Sequence, residues 1–145
     1  MAVVTKRVYE KPAKDDGARI LVDRLWPRGL RKQSASIDAW LRDLAPSNEL
    51  RKWFHSHPAA WAGFRKQYLK ELGADAAPQA LQKLYELAEK NLQLTLLFAS
   101  KDENHNNAVI LKDLLNGARK PPTGTGPASA GAGRSRQAKR LARIR

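Results

Sequence analysis

The sequence has no cysteine and a single methionine in 145 residues. Disulfides, thiol catalysis and cysteine-bound metals are thereby excluded, and the lack suits a reducing compartment. Long apolar runs are missing as well. Nothing approaches the roughly 20 apolar residues of a membrane span, and Met1 to Lys6 does not read as a secretory leader. A soluble, cytoplasmic protein is expected. The chain has neither a P-loop nor a dinucleotide-binding glycine fingerprint, and no repeat of solenoid length. No cofactor is expected. Histidines number three; His55 and His57, two apart, lack a third ligand at matching spacing, so no metal site is expected either.

Acidic residues are scarce: 14 against 27 Lys and Arg, a formal net charge of +13. Seven of the basic residues and none of the acidic ones lie in 120–145, leaving 20 and 14 in the first 119 positions. Body and tail therefore need separate explanations. Pro121 to Gly133 is proline, glycine, alanine, serine and threonine, without the apolar content to fold alone. It leads into a cluster of Arg134, Arg136, Lys139, Arg140, Arg143 and Arg145. A flexible tether ending in a basic segment attracts phosphate backbones without sequence preference; a solvated extension, or a contact with anionic membrane through Leu141 and Ile144, competes with that reading.

In the body, apolar periodicity predicts the elements. Val3 to Tyr9 and Ala18 to Asp23 read as strands, and Leu92 to Ala99, the most hydrophobic run, as a central strand. Ile37, Trp40, Leu41 and Leu44 follow helical spacing, with Ser36 as N-cap and Pro46 as terminator. Ser47 caps a second helix carrying Leu50, Trp53 and Phe54. Trp61, Phe64, Tyr68 and Leu72 form another stripe, with Pro58 at a first helical position and Gly73 as a stop. Further helices are expected from Pro78 to Asn91 and from His105 or Asn106 to Gly117. The sum is an α/β fold over 1–119, a small, mostly parallel sheet flanked by helices, with a disordered basic tail over 120–145.

Two strand exits stand out. Ile20-Leu21-Val22 runs into Asp23-Arg24-Leu25-Trp26-Pro27-Arg28-Gly29. Pro27 fixes its own φ and pushes Trp26 toward an extended conformation, and Gly29 permits a backbone angle other residues resist. Leu96-Leu97-Phe98 runs into Ser100-Lys101-Asp102. If the strands are parallel, both loops leave one sheet edge, where open α/β sheets place ligands. The second loop also leads to a helix N-terminus, which attracts anions.

The run Val22-Asp23-Arg24-Leu25-Trp26-Pro27-Arg28-Gly29, followed by Ala45-Pro46-Ser47, Leu50-Arg51-Lys52-Trp53-Phe54-His55 and Ser100-Lys101-Asp102…His105-Asn106…Ala108-Val109, resembles the YeaO-like family of small bacterial proteins, a domain of unknown function. The likeness covers roughly residues 5–116. It implies a compact α/β fold with the two loops as signature elements, and it implies no settled activity. Where the family pattern often has a second histidine after His-Asn, this chain has Asn107.

The residues themselves suggest an anion pocket of Arg24, Arg28, Lys32, Arg51 and Lys101, with Trp26, Ser100, His105 and Asn106 beside them. Opposed to it is a structural reading in which Asp23 pairs with Arg24, Arg28 or Arg51, and Asp102 with Lys101. His105 is either a general acid/base or, the preferred reading, the helix cap. Asp23 and Asp102 would make a catalytic carboxylate pair only if their loops converge. Trp40, Trp53 and Trp61 read as core, and Trp26, in the charged loop, as the ring to test for stacking. Three functions remain open: an enzyme or binding protein for a phosphate-bearing molecule, a nucleic-acid-associated protein, and a partner-binding module using the aromatic helices.

Overall fold

Continuous apolar sequence builds the strands, and their order could not be read locally. In the computed structural model, which describes residues 2–117, the chain forms strands β1 (Ala2–Arg7), β2 (Ala18–Leu21), β3 (Ala39–Trp40) and β4 (Gln93–Phe98). Around them lie helices α1 (Lys32–Ala35), α2 (Asn48–Ser56), α3 (Trp61–Glu71), α4 (Ala77–Lys90) and α5 (Asn107–Asn116). The sheet is parallel throughout, in the order β1-β4-β2-β3, with Ile20 opposite Leu96 and Leu21 opposite Leu97. The α/β expectation holds. The proposed tail, 120–145, lies outside the described residues.

β4 is the centre. Leu94 through Phe98 have no exposed surface, as a parallel strand covered on both faces requires. Val3, Ile20, Val22, Leu94, Leu96 and Phe98 face one core with Leu50, Phe64, Tyr68, Leu72, Leu81, Leu84, Ile110 and Leu111 from the helices. Leu21, Leu97 and Val8 face the other side, covered by Trp26, Leu30, Ile37 and Trp40. Each fully buried leucine contributes about 1.5–3 kcal/mol. Among the described residues, no helix is long and apolar enough to cross a membrane.

The helix expected from Ser36 to Pro46 does not form. Ser36 instead ends the short α1 in a left-handed conformation, φ 51°. The Asp38 N–H donates to the Arg19 carbonyl and the Leu41 N–H to that of Leu21, at 2.8 and 2.9 Å, placing β3 on the edge of β2. The apolar stripe is thus divided: Ile37 and Trp40 go to one face of the sheet, Leu41 and Leu44 to the other. Backbone pairing with a buried strand outweighs a four-residue helical pattern. Other boundaries hold better. The Ser47 hydroxyl accepts from the Leu50 N–H at 3.1 Å, and Gly117 caps α5. α3 begins at Trp61, three residues after Pro58, which sits in the preceding turn.

Candidate functional site

From the end of β2 the chain moves toward β3, and from the end of β4 it moves into α5, which packs on β1 and β4. The two paths diverge between the central strands, and it is at such a switch point, outside the carboxyl ends, that open α/β sheets place ligands. The loops after β2 and β4 meet there. The Ala99 N–H donates to Asp23 Oδ2 at 2.9 Å, and Asn107 Nδ2 donates to the Val22 carbonyl at 2.9 Å.

The cations around this edge are not spent on structural ion pairs. Asp23 takes the Ala99 N–H, and Asp102 Oδ1 takes the Asn104 and His105 N–H groups at 2.9 and 3.0 Å. Among the described residues, ion pairs join Lys6 and Arg19 to Asp16, Arg65 to Asp113 and His105 to Asp102. Among the described residues, Arg24, Arg28, Lys32, Arg51 and Lys101 therefore have no carboxylate within 4.0 Å. The pairing of Asp23 and Asp102 with these residues is corrected: backbone donors at the loop ends take the carboxylates first. Arg51, exposed on α2, still acts on Asp23 through its charge.

The remaining residues divide. Arg24 Nη2 donates to the Ala45 carbonyl at 3.2 Å, which ties the first loop to the segment before α2. Arg28, Ser100 and Lys101 are exposed. Trp26 is not a free ring: its Nε1 donates to the Leu30 carbonyl at 2.8 Å, Trp40 meets it edge-on at 5.6 Å, and the Lys32 ammonium lies 5.8 Å from its ring centre. Gly29 has φ 77°, the left-handed turn its position predicted. The α5 cap is Asn106, whose side chain accepts from the Val109 N–H at 3.1 Å while its Nδ2 donates to the Asp102 carbonyl. The expectation of His105 as cap is corrected by one residue, because the shorter amide reaches the third N–H of the helix. His105 instead sets its ring 4.8 Å from that of Trp61, with Nδ1 3.6 Å from Asp102.

Two features were missed in the sequence. Leu25, between Asp23-Arg24 and Trp26, is 67% exposed, an apolar tip on a loop of cations. Asn107 is buried and donates to the Val22 carbonyl, and its amide acts on both Asp23 and Tyr68, whose hydroxyl donates to the Leu44 carbonyl. An amide beside a capping Asn was its only signal.

The two carboxylates are driven in opposite directions. Burial raises Asp23 above its ordinary pKa, against the opposing Ala99 N–H, Asn107 amide and Arg51 charge. Asp102 is lowered, chiefly by the Asn104 N–H. A folded pKa above the unfolded one means that the native state binds the extra proton, so Asp23 costs stability as pH rises through its folded value. Asp23→Asn keeps an acceptor for Ala99 and removes the charge. It is expected to be at least as stable as wild type at pH 7, with the relative gain shrinking toward pH 4, in urea unfolding midpoints. A variant destabilised at pH 7 and equal to wild type near pH 4 would refute this.

The chain is 44% identical to the uncharacterised protein YeaO of Escherichia coli K12 over 115 residues, 79% of this chain and 97% of that one. It is 40% identical over 111 residues to the uncharacterised proteins Mb3100c of Mycobacterium bovis and Rv3073c of Mycobacterium tuberculosis H37Rv, covering 77% of this chain and 91% of each. No solved structure gives a significant match. Residues 2–131 match the family described as the inactive DUF488-N3 subclade, and with these relatives the chain belongs to that YeaO-like family of unknown function.

Proposed function

We propose that this protein binds a phosphate-bearing anion in the crevice between the loops after β2 and β4. The observation that carries the reading is that Arg24 and Arg28 on the loop after β2, Lys101 on the loop after β4, Lys32 on α1 and Arg51 on α2 have no carboxylate partner among the described residues. Guanidinium forks and ammonium groups suit phosphate oxygens. A binding role also agrees with the word inactive in the family's description.

A nucleic-acid backbone is the second reading, favoured by the net charge of +13 and the basic cluster at the chain's end. One titration separates the readings. Inorganic phosphate, pyrophosphate, nucleotides and short oligonucleotides are added to the full chain, with melting temperature and heat as readouts. A phosphate compound is expected to stabilise wild type, and Arg28→Ala with Lys101→Ala should weaken it about tenfold or more, since a charged hydrogen bond contributes about 1.5–3 kcal/mol. Equal stabilisation of both proteins, or of neither, refutes the cleft. Stabilisation by oligonucleotides alone favours the second reading.

A further inference from the structure

A run of neighbouring rings leads from the core to the loop after β4. Phe64 stacks on Phe54 at 4.4 Å and on Trp61 at 5.7 Å, and Trp61 meets the His105 imidazole at 4.8 Å with the planes inclined by 38°. The ladder starts in the core, where Phe64 is 3% exposed, and ends on His105, whose side chain is 46% exposed. Its last ring belongs to the loop that begins at Ala99, the residue bonded to Asp23. Lys101 lies four residues before His105 on the same loop, and Arg51 precedes Phe54 by three residues on α2. Asp102 holds the end ring in place: its Oδ1 takes the His105 N–H and its Oδ2 lies 3.6 Å from Nδ1.

We infer, resting on the anion reading above, that the ligand carries a nucleobase as well as a phosphate, and that the base extends the Phe64–Trp61–His105 ladder by one ring. Bases stack on aromatic side chains irrespective of their identity, and cations beside such rings take the backbone phosphate. Trp26 and Trp53 are not linked to the loop after β4. Trp26 is held by Leu30, Trp40 and Lys32. Trp53 is stacked with His57 at 5.1 Å and packs against Gly63 of α3. The ladder that starts at Phe64 ends instead on a half-exposed imidazole, on the loop that also carries the exposed Lys101.

The test compares ligands with and without a base on the full chain. Adenosine monophosphate should bind about fivefold to a hundredfold tighter than inorganic phosphate, the range given by stacking one base on an aromatic ring, and should quench tryptophan emission where phosphate does not. His105→Ala should abolish that difference with phosphate affinity retained, and His105→Phe should restore it. A single-stranded trinucleotide binding tighter than the monophosphate assigns the same chemistry to nucleic acid; equal binding assigns it to free nucleotide. Equal affinity for phosphate and adenosine monophosphate, or an equal loss of both in His105→Ala, overturns the base while leaving the anion cleft standing. Failure of phosphate, monophosphate and trinucleotide alike to bind wild type overturns both.

Discussion

Asp16→Ala is expected to cost about 3–5 kcal/mol at pH 7, the loss found when one partner of a buried ion pair is removed. Asp16 and Arg19 are 7% and 3% exposed, and the Arg19 guanidinium lies 2.5 Å from Asp16 Oδ2. The same guanidinium donates to the carbonyls of Ser36 and Ala35 at 3.0 and 3.1 Å. It therefore pins α1 and the turn into β3 beneath the amino end of β2. Without Asp16, a buried cation retains only carbonyl partners, and the covering segment loses its anchor. Burial by itself would raise the Asp16 carboxyl, but the Ala13 N–H together with Lys6 and Arg19 outweighs it, and the net shift is downward. A folded value below the unfolded one gives stability that is complete above about pH 4 and is lost as pH falls through the folded value. The gap between wild type and variant should therefore narrow at pH 3. Replacing both residues, Asp16→Leu with Arg19→Leu, should restore part of the loss, because the buried guanidinium goes with its partner and only Lys6, which keeps the Lys11 carbonyl, loses a carboxylate. Urea unfolding of the three proteins at pH 7 and pH 3 checks all of it. A double variant no more stable than Asp16→Ala would refute the account.

That ion pair was not legible, although its members are three apart in sequence, because Arg19 interrupts an otherwise apolar strand and reads as its solvent-facing position. β2 and β4 were legible from their aliphatic runs, and so was the meeting of their loops, because two parallel strands must release their chains at one edge. The order of the strands was not: nothing local says that β4, last in sequence, lies between β1 and β2. Nor could sequence say what occupies Asp23. It offers three arginines as partners, whereas the structure uses the Ala99 backbone N–H, a donor that nearly every residue carries and that leaves no mark in composition. The segment 36–45 failed for a related reason. Spacings of three and four predict one helical face, yet here the residues at those spacings are shared between opposite faces of a sheet. The candidate cations were all visible in the sequence. Their lack of partners was not.

Gly17→Ala should be more damaging than the same change at Gly29, Gly63 or Gly73. Gly17 has φ 66° and ψ −137°, a region that L side chains scarcely enter. A Cβ there would lie 2.2 Å from the Gln93 carbonyl oxygen and 2.7 Å from its carbon. Those atoms are backbone at the first residue of β4, so no side-chain rotation relieves the overlap. Relief requires β2 to part from β4, which breaks the register of Ala18 with Leu94. The backbone strain alone reaches about 3 kcal/mol, and the overlap adds to it, so the expected outcome is a loss of at least about 3 kcal/mol or failure to accumulate folded protein. Gly29→Ala is the matched control. Its φ is 77°, but nothing lies within 4 Å of the added carbon, and the cost should be roughly 1–2 kcal/mol, the ordinary penalty of a left-handed residue. The pair also links register to site. Because Asp23 follows the last residue of β2 by two positions and meets Ala99 just beyond β4, parting the strands at Gly17 displaces one wall of the crevice against the other. Gly29→Ala reshapes only the tip of one loop. Matched denaturation midpoints for the two variants would show that the β2–β4 register does not depend on a bare backbone at residue 17, and would refute this argument.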